Sequence, residues 1–139
     1  MILLKNHPVW QNLSEIFTRL DAHSLVFEHL ELSDYKIAGY WDESDQFYET
    51  ITLPRPLSPE LVTRAIAFHG DKRRIQLKFV LNFAEISPET ISPNPPIGEL
   101  MLIYDENLEF IDENWQIDIH SPFINVHPSL YPLTEAQRQ

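Results

Sequence analysis

The sequence contains no cysteine and only three glycines. Without cysteine, the chain can form neither disulfide bonds nor thiolate zinc sites, and it has no thiol nucleophile. The glycines at positions 39, 70 and 98 are isolated, so the glycine-rich motifs that cradle nucleotide phosphates are missing. The G-x-S-x-G elbow of the α/β-hydrolases is missing as well. We therefore expect no cofactor, and we assign no catalytic residue.

Long hydrophobic runs are missing too. No apolar segment approaches the roughly 20 residues that a membrane-spanning helix needs. Residues 1–5 contain no basic region ahead of an apolar stretch, so no signal peptide is predicted. Hydrophobic residues still make up 43% of the 139 positions and aromatic residues 12%, enough to bury a core. We expect a cytoplasmic protein that folds as a single domain over residues 1–139.

Cations are scarce in this chain. Ten Lys and Arg residues face 21 Asp and Glu residues, which gives a formal net charge of −11, and residues 79–137 contain no Lys or Arg at all. Either the basic residues of the first half fold against this stretch, or the stretch leaves an acidic surface exposed. An acidic surface repels nucleic acids and anionic membranes, so neither is expected as a partner. It favours a basic protein as partner.

Hydrophobic spacing and proline placement predict two helices. Pro8 suits the first position of a helix whose apolar residues at 9, 13, 16, 17 and 20 form one stripe, and this helix should end near Ala22 or His23. A second helix is predicted from Ser58, a good N-cap followed by Pro59, to Gly70, a common stop signal.

Alternation of apolar and polar residues predicts six strands. They cover residues 25–32, 35–41, 47–53, 75–83, 99–104 and 108–119, and the last is interrupted near 112–114. The predicted fold is α+β, with one twisted antiparallel sheet of about six strands, both helices on one face, and the order α-β-β-β-α-β-β-β. Residues 84–98 are predicted to form a proline-rich surface loop, either a binding element or a rigid connector. Residues 121–139 are predicted to form an extended C-terminal tail.

Carboxylates cluster in two polar segments, and aromatic residues flank the first of them. Because Tyr and Trp side chains anchor protein interfaces, this combination predicts a surface for a protein partner. The candidate partner-binding residues are Asp42, Glu43, Asp45, Tyr48, Asp105, Glu106, Glu109, Asp112 and Glu113.

Metal and nucleic-acid sites are weaker hypotheses. Asp118, His120 and His127 form a conceivable two-histidine, one-carboxylate set, but we assign no metal site. The segment that begins at Asp105 resembles the start of a calcium loop but lacks the glycine and the final glutamate of that loop. The basic cluster at residues 72–74 is expected to pair with acidic neighbours rather than with nucleic acid.

The profile of a small, acidic, cysteine-free chain without catalytic motifs favours a protein-binding module. Such a profile is typical of bacterial immunity proteins (antitoxins), which neutralise a cognate toxin, often a basic nuclease, by binding to it. Two alternatives remain open at this point. One is an acidic chaperone or adaptor for a secreted effector, which should be a dimer. The other is a small-ligand-binding or enzymatic domain that uses His29, Tyr35, Asp118 or His120. The sequence leaves the oligomeric state open.

Overall fold

The computed structural model describes residues 4–83 and 95–128. A short 3-10 helix (Leu4–Asn6) precedes two α-helices, α1 (Val9–Arg19) and α2 (Ala22–Leu32). Seven strands follow in this part of the chain: β1 (Lys36–Trp41), β2 (Phe47–Thr52), β3 (Leu57–His69), β4 (Lys72–Phe83), β5 (Gly98–Tyr104), β6 (Phe110–Ile117) and β7 (Asn125–Pro128). In the described ranges, no helix is both long enough and apolar enough to cross a bilayer.

The strands form two antiparallel sheets. The small sheet has the order β1-β2-β7, and the large sheet has the order β3-β4-β5-β6. The predicted α+β class is confirmed, but the strands divide between two sheets instead of forming one sheet of about six. The sheets are joined where the backbone N–H of Ile117 on β6 donates to the hydroxyl of Tyr40 on β1, at 2.9 Å. One hydrophobic cluster contains residues of both sheets and of α2.

The inner face of the large sheet holds the centre of the core. The predicted strand at residues 75–83 is confirmed as β4, and its inward residues alternate as expected. Leu77 and Phe79 pair with Leu102 and Leu100 on β5, and all four side chains are essentially inaccessible. Val26 on α2 is completely buried in the same cluster. The helix α1 has no buried residue at all.

The helix predicted at residues 58–70 is wrong, because this segment is the strand β3. It pairs with β4 along its whole length, from Leu57 opposite Phe83 to His69 opposite Lys72. Gly70, interpreted as a helix stop, has φ 61° and forms the two-residue hairpin turn with Asp71. Pairing along twelve residue pairs outweighs the capping signals at the start of the segment, and β-branched residues within it favour a strand.

The strand predicted at residues 25–32 is also wrong, because this segment belongs to α2. Asp21 caps the helix, and its Oδ1 accepts a hydrogen bond from the backbone N–H of Ser24 at 3.0 Å. The two buried residues of α2, Val26 and Leu30, are four positions apart, which is the spacing of a helix face. The element order therefore begins with two consecutive helices, and all strands follow them.

The remaining strand predictions are close to the structure. β1, β2 and β5 lie within or near the predicted bounds, and β6 runs without interruption through residues 112–114. The irregularity in β6 falls instead at Ile111, between the pairs Tyr104–Phe110 and Ile103–Asp112. The first part of the predicted tail contains β7, which pairs with β2. Residues 84–94 of the proline-rich segment and residues 129–139 of the tail lie outside the described residues.

Candidate protein-binding site

The turn between β1 and β2, residues 42–46, is organised by its first aspartate; we call it acidic turn 1. The Oδ1 atom of Asp42 accepts hydrogen bonds from the backbone N–H groups of Ser44 at 2.8 Å and Gln46 at 2.9 Å. These N–H groups, that of Gln46 foremost, hold the pKa of the Asp42 carboxyl below its usual value. Its Oδ2 atom accepts from the Tyr48 hydroxyl at 3.2 Å. Asp42 is therefore a charged residue fixed in one position.

The turn between β5 and β6, residues 105–109, repeats this geometry; we call it acidic turn 2. The Oδ1 atom of Asp105 accepts from the backbone N–H groups of Asn107 at 2.8 Å and Glu109 at 2.9 Å. The fourth residue of each turn, Asp45 in the first and Leu108 in the second, has φ 61°. Both leading aspartates thus stabilise their own turns through their Oδ1 atoms.

A repeated sequence pattern accompanies the repeated geometry. Residues 42–47 read D-E-S-D-Q-F and residues 105–110 read D-E-N-L-E-F. The predicted site residues group these two segments as separate acidic clusters and do not include their common pattern. The signal in the sequence is an aspartate followed two positions later by Ser or Asn, in a segment between two strands that contain aromatic residues. This signal predicts two matching turns.

Leu108 occupies a backbone region that branched side chains disfavour, at a cost of about 1 kcal/mol. Asparagine tolerates positive φ, so Leu108→Asn is expected to raise the free energy of unfolding by about 0.5–1 kcal/mol. The measurement is urea unfolding in dilute protein. Leu32→Asn, which changes an 81% exposed leucine outside the positive-φ region, is the control and should give no gain. A Leu108→Asn variant no more stable than this control would contradict the expected strain.

Aromatic side chains divide between the two faces of the small sheet beside acidic turn 1. Tyr48 is only 8% exposed, so its role is to support the turn through its hydroxyl, and its ring is not a surface anchor. Trp41 faces outward and is 49% exposed, and its ring packs at a tilt against Phe47, with 4.9 Å between the ring centroids. The outward anchor next to the turn is therefore Trp41, a residue that our predicted set omitted.

A groove of about 610 Å³ lies between acidic turn 1 and the end of β6; we call it the acidic groove. Carboxylates and aromatic rings line it, including Trp41, Asp42, Glu43, Glu99, Trp115 and Asp118, and no Lys or Arg of the described ranges does so. The Glu99 carboxylate pairs with Lys78 at 3.2 Å. The charges of Asp42, Glu43 and Asp118 have no ion-pair partner among the described residues. The acidic groove can therefore accept a cation.

Glu106 of acidic turn 2 is paired with the basic cluster at residues 72–74. The Arg73 backbone N–H donates to Glu106 Oε1 at 3.0 Å, and its guanidinium Nη2 donates to Oε2 at 2.9 Å. These bonds, the guanidinium first, lower the pKa of the Glu106 carboxyl. The expectation that this cluster pairs with acidic neighbours is confirmed for Arg73. Of the alternatives for the acidic second half, internal compensation applies at Glu106, and an exposed acidic surface remains at Glu109, at Asp112 and at the acidic groove.

The two acidic turns lie at opposite ends of the large sheet. The acidic groove meets the end where Gly98 pairs with Ile117, whereas acidic turn 2 follows the pair Tyr104–Phe110. Strands rise about 3.3 Å per residue, so these ends are roughly 20 Å apart. The nine predicted residues therefore form two separate groups and not one continuous surface.

Glu113, one of the nine, is engaged on the helix side of the large sheet. Its carboxylate contacts His29 Nε2 on α2, and this hydrogen bond lowers the pKa of the Glu113 carboxyl. The His29 ring packs on Phe110 at 5.0 Å between centroids, and the His29 side chain is 16% exposed. Glu113 thus connects α2 to β6.

Three other residues of the predicted set, Asp45, Glu109 and Asp112, are exposed and form no ion pair with any described residue.

The residues considered for metal or enzymatic chemistry do not converge. Asp118 and His120 line the acidic groove, but Asp118 Oδ1 accepts from the His120 backbone N–H at 3.0 Å and shapes a local turn. Tyr35 lies elsewhere, with the Arg55 guanidinium 3.9 Å above its ring, and His29 is on the helix side. Across residues 4–83 and 95–128, no group of three or more His, Asp or Glu side chains is placed to hold a metal ion.

The acidic groove is therefore the part of the described structure with the clearest binding chemistry: fixed negative charge, exposed aromatic surface and room for a side chain. The role of the acidic groove cannot be inferred from a similar protein. Comparisons with family models, curated proteins and solved structures find no significant match to this chain.

Proposed function

We propose that this chain is an acidic protein-binding module that holds a basic partner protein in the acidic groove. In its most specific form, the proposal is a cytoplasmic immunity protein that neutralises a cognate toxin by binding it. The observation that carries the proposal is the composition of the groove lining. It includes carboxylates and two tryptophans, and it includes no Lys or Arg of the described residues.

The aromatic part of the groove supports a side-chain anchor from the partner. Trp41 is half exposed and rests on Phe47, so its face offers rigid apolar area at a low entropic cost. A Lys or Arg side chain that packs on the indole ring gains a cation–π contact of about 0.5–2 kcal/mol. Glu43 lines the same groove and provides an opposite charge for the same side chain.

The acidic part of the groove supports selectivity for basic proteins. The Asp42 carboxylate is held by three hydrogen bonds, so its charge needs no rearrangement on binding. The net charge of −11 accelerates the approach of a positively charged protein. A nuclease site built for phosphate groups is basic, and carboxylates present to it the same sign of charge as phosphates. A basic nuclease toxin is therefore the class of partner that we propose.

The first experiment is a pull-down with the full chain from its native host, at low and then at high salt, followed by mass spectrometry. We expect one stoichiometric basic protein that is retained at low salt and released at high salt, because salt screens exposed charges. No stoichiometric protein at either salt concentration, or an acidic one, would overturn the proposal.

The second experiment locates the site on the captured partner. Glu43→Lys is expected to weaken binding at least tenfold, mainly through a slower association rate, because it reverses a charge that lines the groove. Glu109→Lys is the matched control, since it reverses an exposed carboxylate at the far end of the large sheet, and a change of twofold or less is expected. Both rates are measured by surface plasmon resonance. If the Glu109 variant is the one that loses binding, the site is acidic turn 2 and the groove assignment is wrong.

A further inference from the structure

A second, chemically different surface lies at the opposite end of the molecule, centred on Leu108. A groove of about 400 Å³ runs from Leu108 past Phe68 to Ile16 on α1. A second groove, of about 240 Å³, runs from Leu108 past Phe110 to Leu32 on α2. Because Leu108 lines both grooves, these five residues form one surface, which we call the apolar patch.

The side chains of the apolar patch are well exposed. Phe68 is 73% exposed, Leu32 81% and Leu108 45%, and Ile16 and Phe110 lie between 40% and 50%. The helix α1, which carries Ile16, has eleven residues and none of them is buried. A helix this short is marginal in water by itself, and its contact with the core through the partly buried Phe17 leaves Ile16 uncovered. Together with the strained backbone of Leu108, these exposures indicate a surface made to be covered.

The charges that line the two grooves of the apolar patch are balanced, and the two signs are separated between the grooves. The first groove is lined by Arg19 and by the Arg73–Glu106 ion pair, which leaves one net positive charge. The second is lined by Glu28 and by His29, which contacts Glu113, and it carries one net negative charge. A rotation of 180° about an axis near Leu108 places the first groove of one copy on the second groove of another. In this arrangement the positive groove of each copy faces the negative groove of the other, so opposite charges meet at two symmetry-related places.

We propose that this chain forms a two-fold symmetric homodimer through the apolar patch, independently of the partner bound in the acidic groove. The patch is locally neutral in a chain of net charge −11, so a second copy meets no repulsion from its lining there. A strongly basic partner gains nothing from a neutral apolar face, whereas the acidic groove at the other end attracts it.

The size of the apolar patch fits this assignment. If a fully exposed large apolar side chain offers about 170 Å², the five exposed fractions give roughly 500 Å² of apolar surface. A standard interface buries about 800 Å² on each partner, of which about 57%, or roughly 450 Å², is non-polar. The apolar patch with its charged rim therefore supplies one half of a standard interface.

Analytical ultracentrifugation of the full chain tests the dimer. At about 100 μM protein, well above the micromolar dissociation constants common for interfaces of this size, we expect a species of twice 16.3 kDa. Leu108→Asn should raise the dissociation constant at least tenfold. The control Val62→Thr, which changes a 49% exposed residue on β3 outside the apolar patch, should leave it unchanged. A wild-type monomer at this concentration, or a Leu108→Asn dimer as tight as the wild type, would overturn the proposal.

A charge exchange tests the two-fold geometry and separates it from any loss of folding. Arg19→Glu gives two negative grooves and Glu28→Lys gives two positive ones, so each variant alone should be monomeric. An equimolar mixture of the two should recover a dimer within about tenfold of the wild-type dissociation constant, because each copy then complements the other. If the mixture stays monomeric while both variants retain the wild-type circular dichroism, the geometry is wrong. If either variant alone still dimerises like the wild type, it is wrong as well.

Discussion

Gly98→Ala is expected to destabilise the fold by about 3 kcal/mol or more, the largest effect expected for an alanine substitution at any of the three glycines. An alanine Cβ at this position would come within 3.0 Å of the carbonyl oxygen of Gln116 and the Cα of Ile117. Both are backbone atoms of β6, and Gly98 pairs directly with Ile117. No side-chain rotation relieves such a contact, so the β5–β6 pairing itself must open.

Gly70→Ala is the matched control for this substitution. Gly70 has φ 61° in the β3–β4 turn, and nothing lies within 4 Å of an added Cβ, so only backbone strain of about 1 kcal/mol is expected. The free energy of unfolding of both variants is measured by urea titration. A Gly98→Ala protein within about 1 kcal/mol of the Gly70→Ala protein would show that β5 and β6 are not in such close contact. Gly98 also lines the acidic groove, so the same variant should weaken binding of the basic partner that we propose.

Glu113→Ala is expected to lower the free energy of unfolding by about 2 kcal/mol at neutral pH. The substitution leaves the His29 side chain largely buried without its carboxylate partner, and an unpaired buried polar group costs about 1–3 kcal/mol. The Glu113 side chain is 38% exposed, so solvent screening keeps the effect below that of a fully buried pair. The control is Asp112→Ala, which removes the neighbouring exposed carboxylate and should change stability by less than about 0.5 kcal/mol.

Acid should abolish most of the difference between wild type and Glu113→Ala. The pKa of Glu113 in the folded state lies below its usual value of 4.5, so the unfolded chain binds the proton more tightly. The stability contributed by Glu113 is therefore fully present above pH 4.5 and is lost as the pH falls through the lower folded pKa. In urea titrations at a series of pH values from 7 down to 3, the difference between the two proteins should shrink as the pH falls below 4.5. A difference that stays constant over this range would contradict the His29–Glu113 contact as its source.

Strands whose side chains alternate cleanly were predictable from the sequence, because one face of each packs against the core. Alternation at residues 75–83 predicted β4, and its apolar set is the buried one. The segments that became α2 and β3 were not predictable in this way. Val26 and Leu30 mark a helix face, but the apolar residues around them, Leu25, Phe27 and Leu32, also suit a strand. At β3, local capping signals pointed to a helix, and only pairing with β4, a long-range contact, decides otherwise.

The candidate site was predictable in composition but not in arrangement. The acidic residues of acidic turn 1 and the neighbouring Tyr48 were identified from the sequence, and Glu43 does line a groove. The sequence could not show that Arg73 reaches Glu106, 33 positions away, or that His29 reaches Glu113, 84 positions away. Both contacts remove carboxylates from the candidate surface. They depend on how helices and hairpins are placed on the sheet, and no local pattern of charge encodes that placement.

The acidic groove and the apolar patch lie at opposite ends of the large sheet, because the groove meets the Gly98–Ile117 end and Leu108 follows Tyr104. In the proposed two-fold dimer the two apolar patches meet at the axis, so the two acidic grooves lie at the far ends, each roughly 20 Å of strand away from the interface. Such a dimer is bivalent. It can hold two partner molecules at once, and a partner that is itself dimeric would be bound with an avidity that a single groove does not provide.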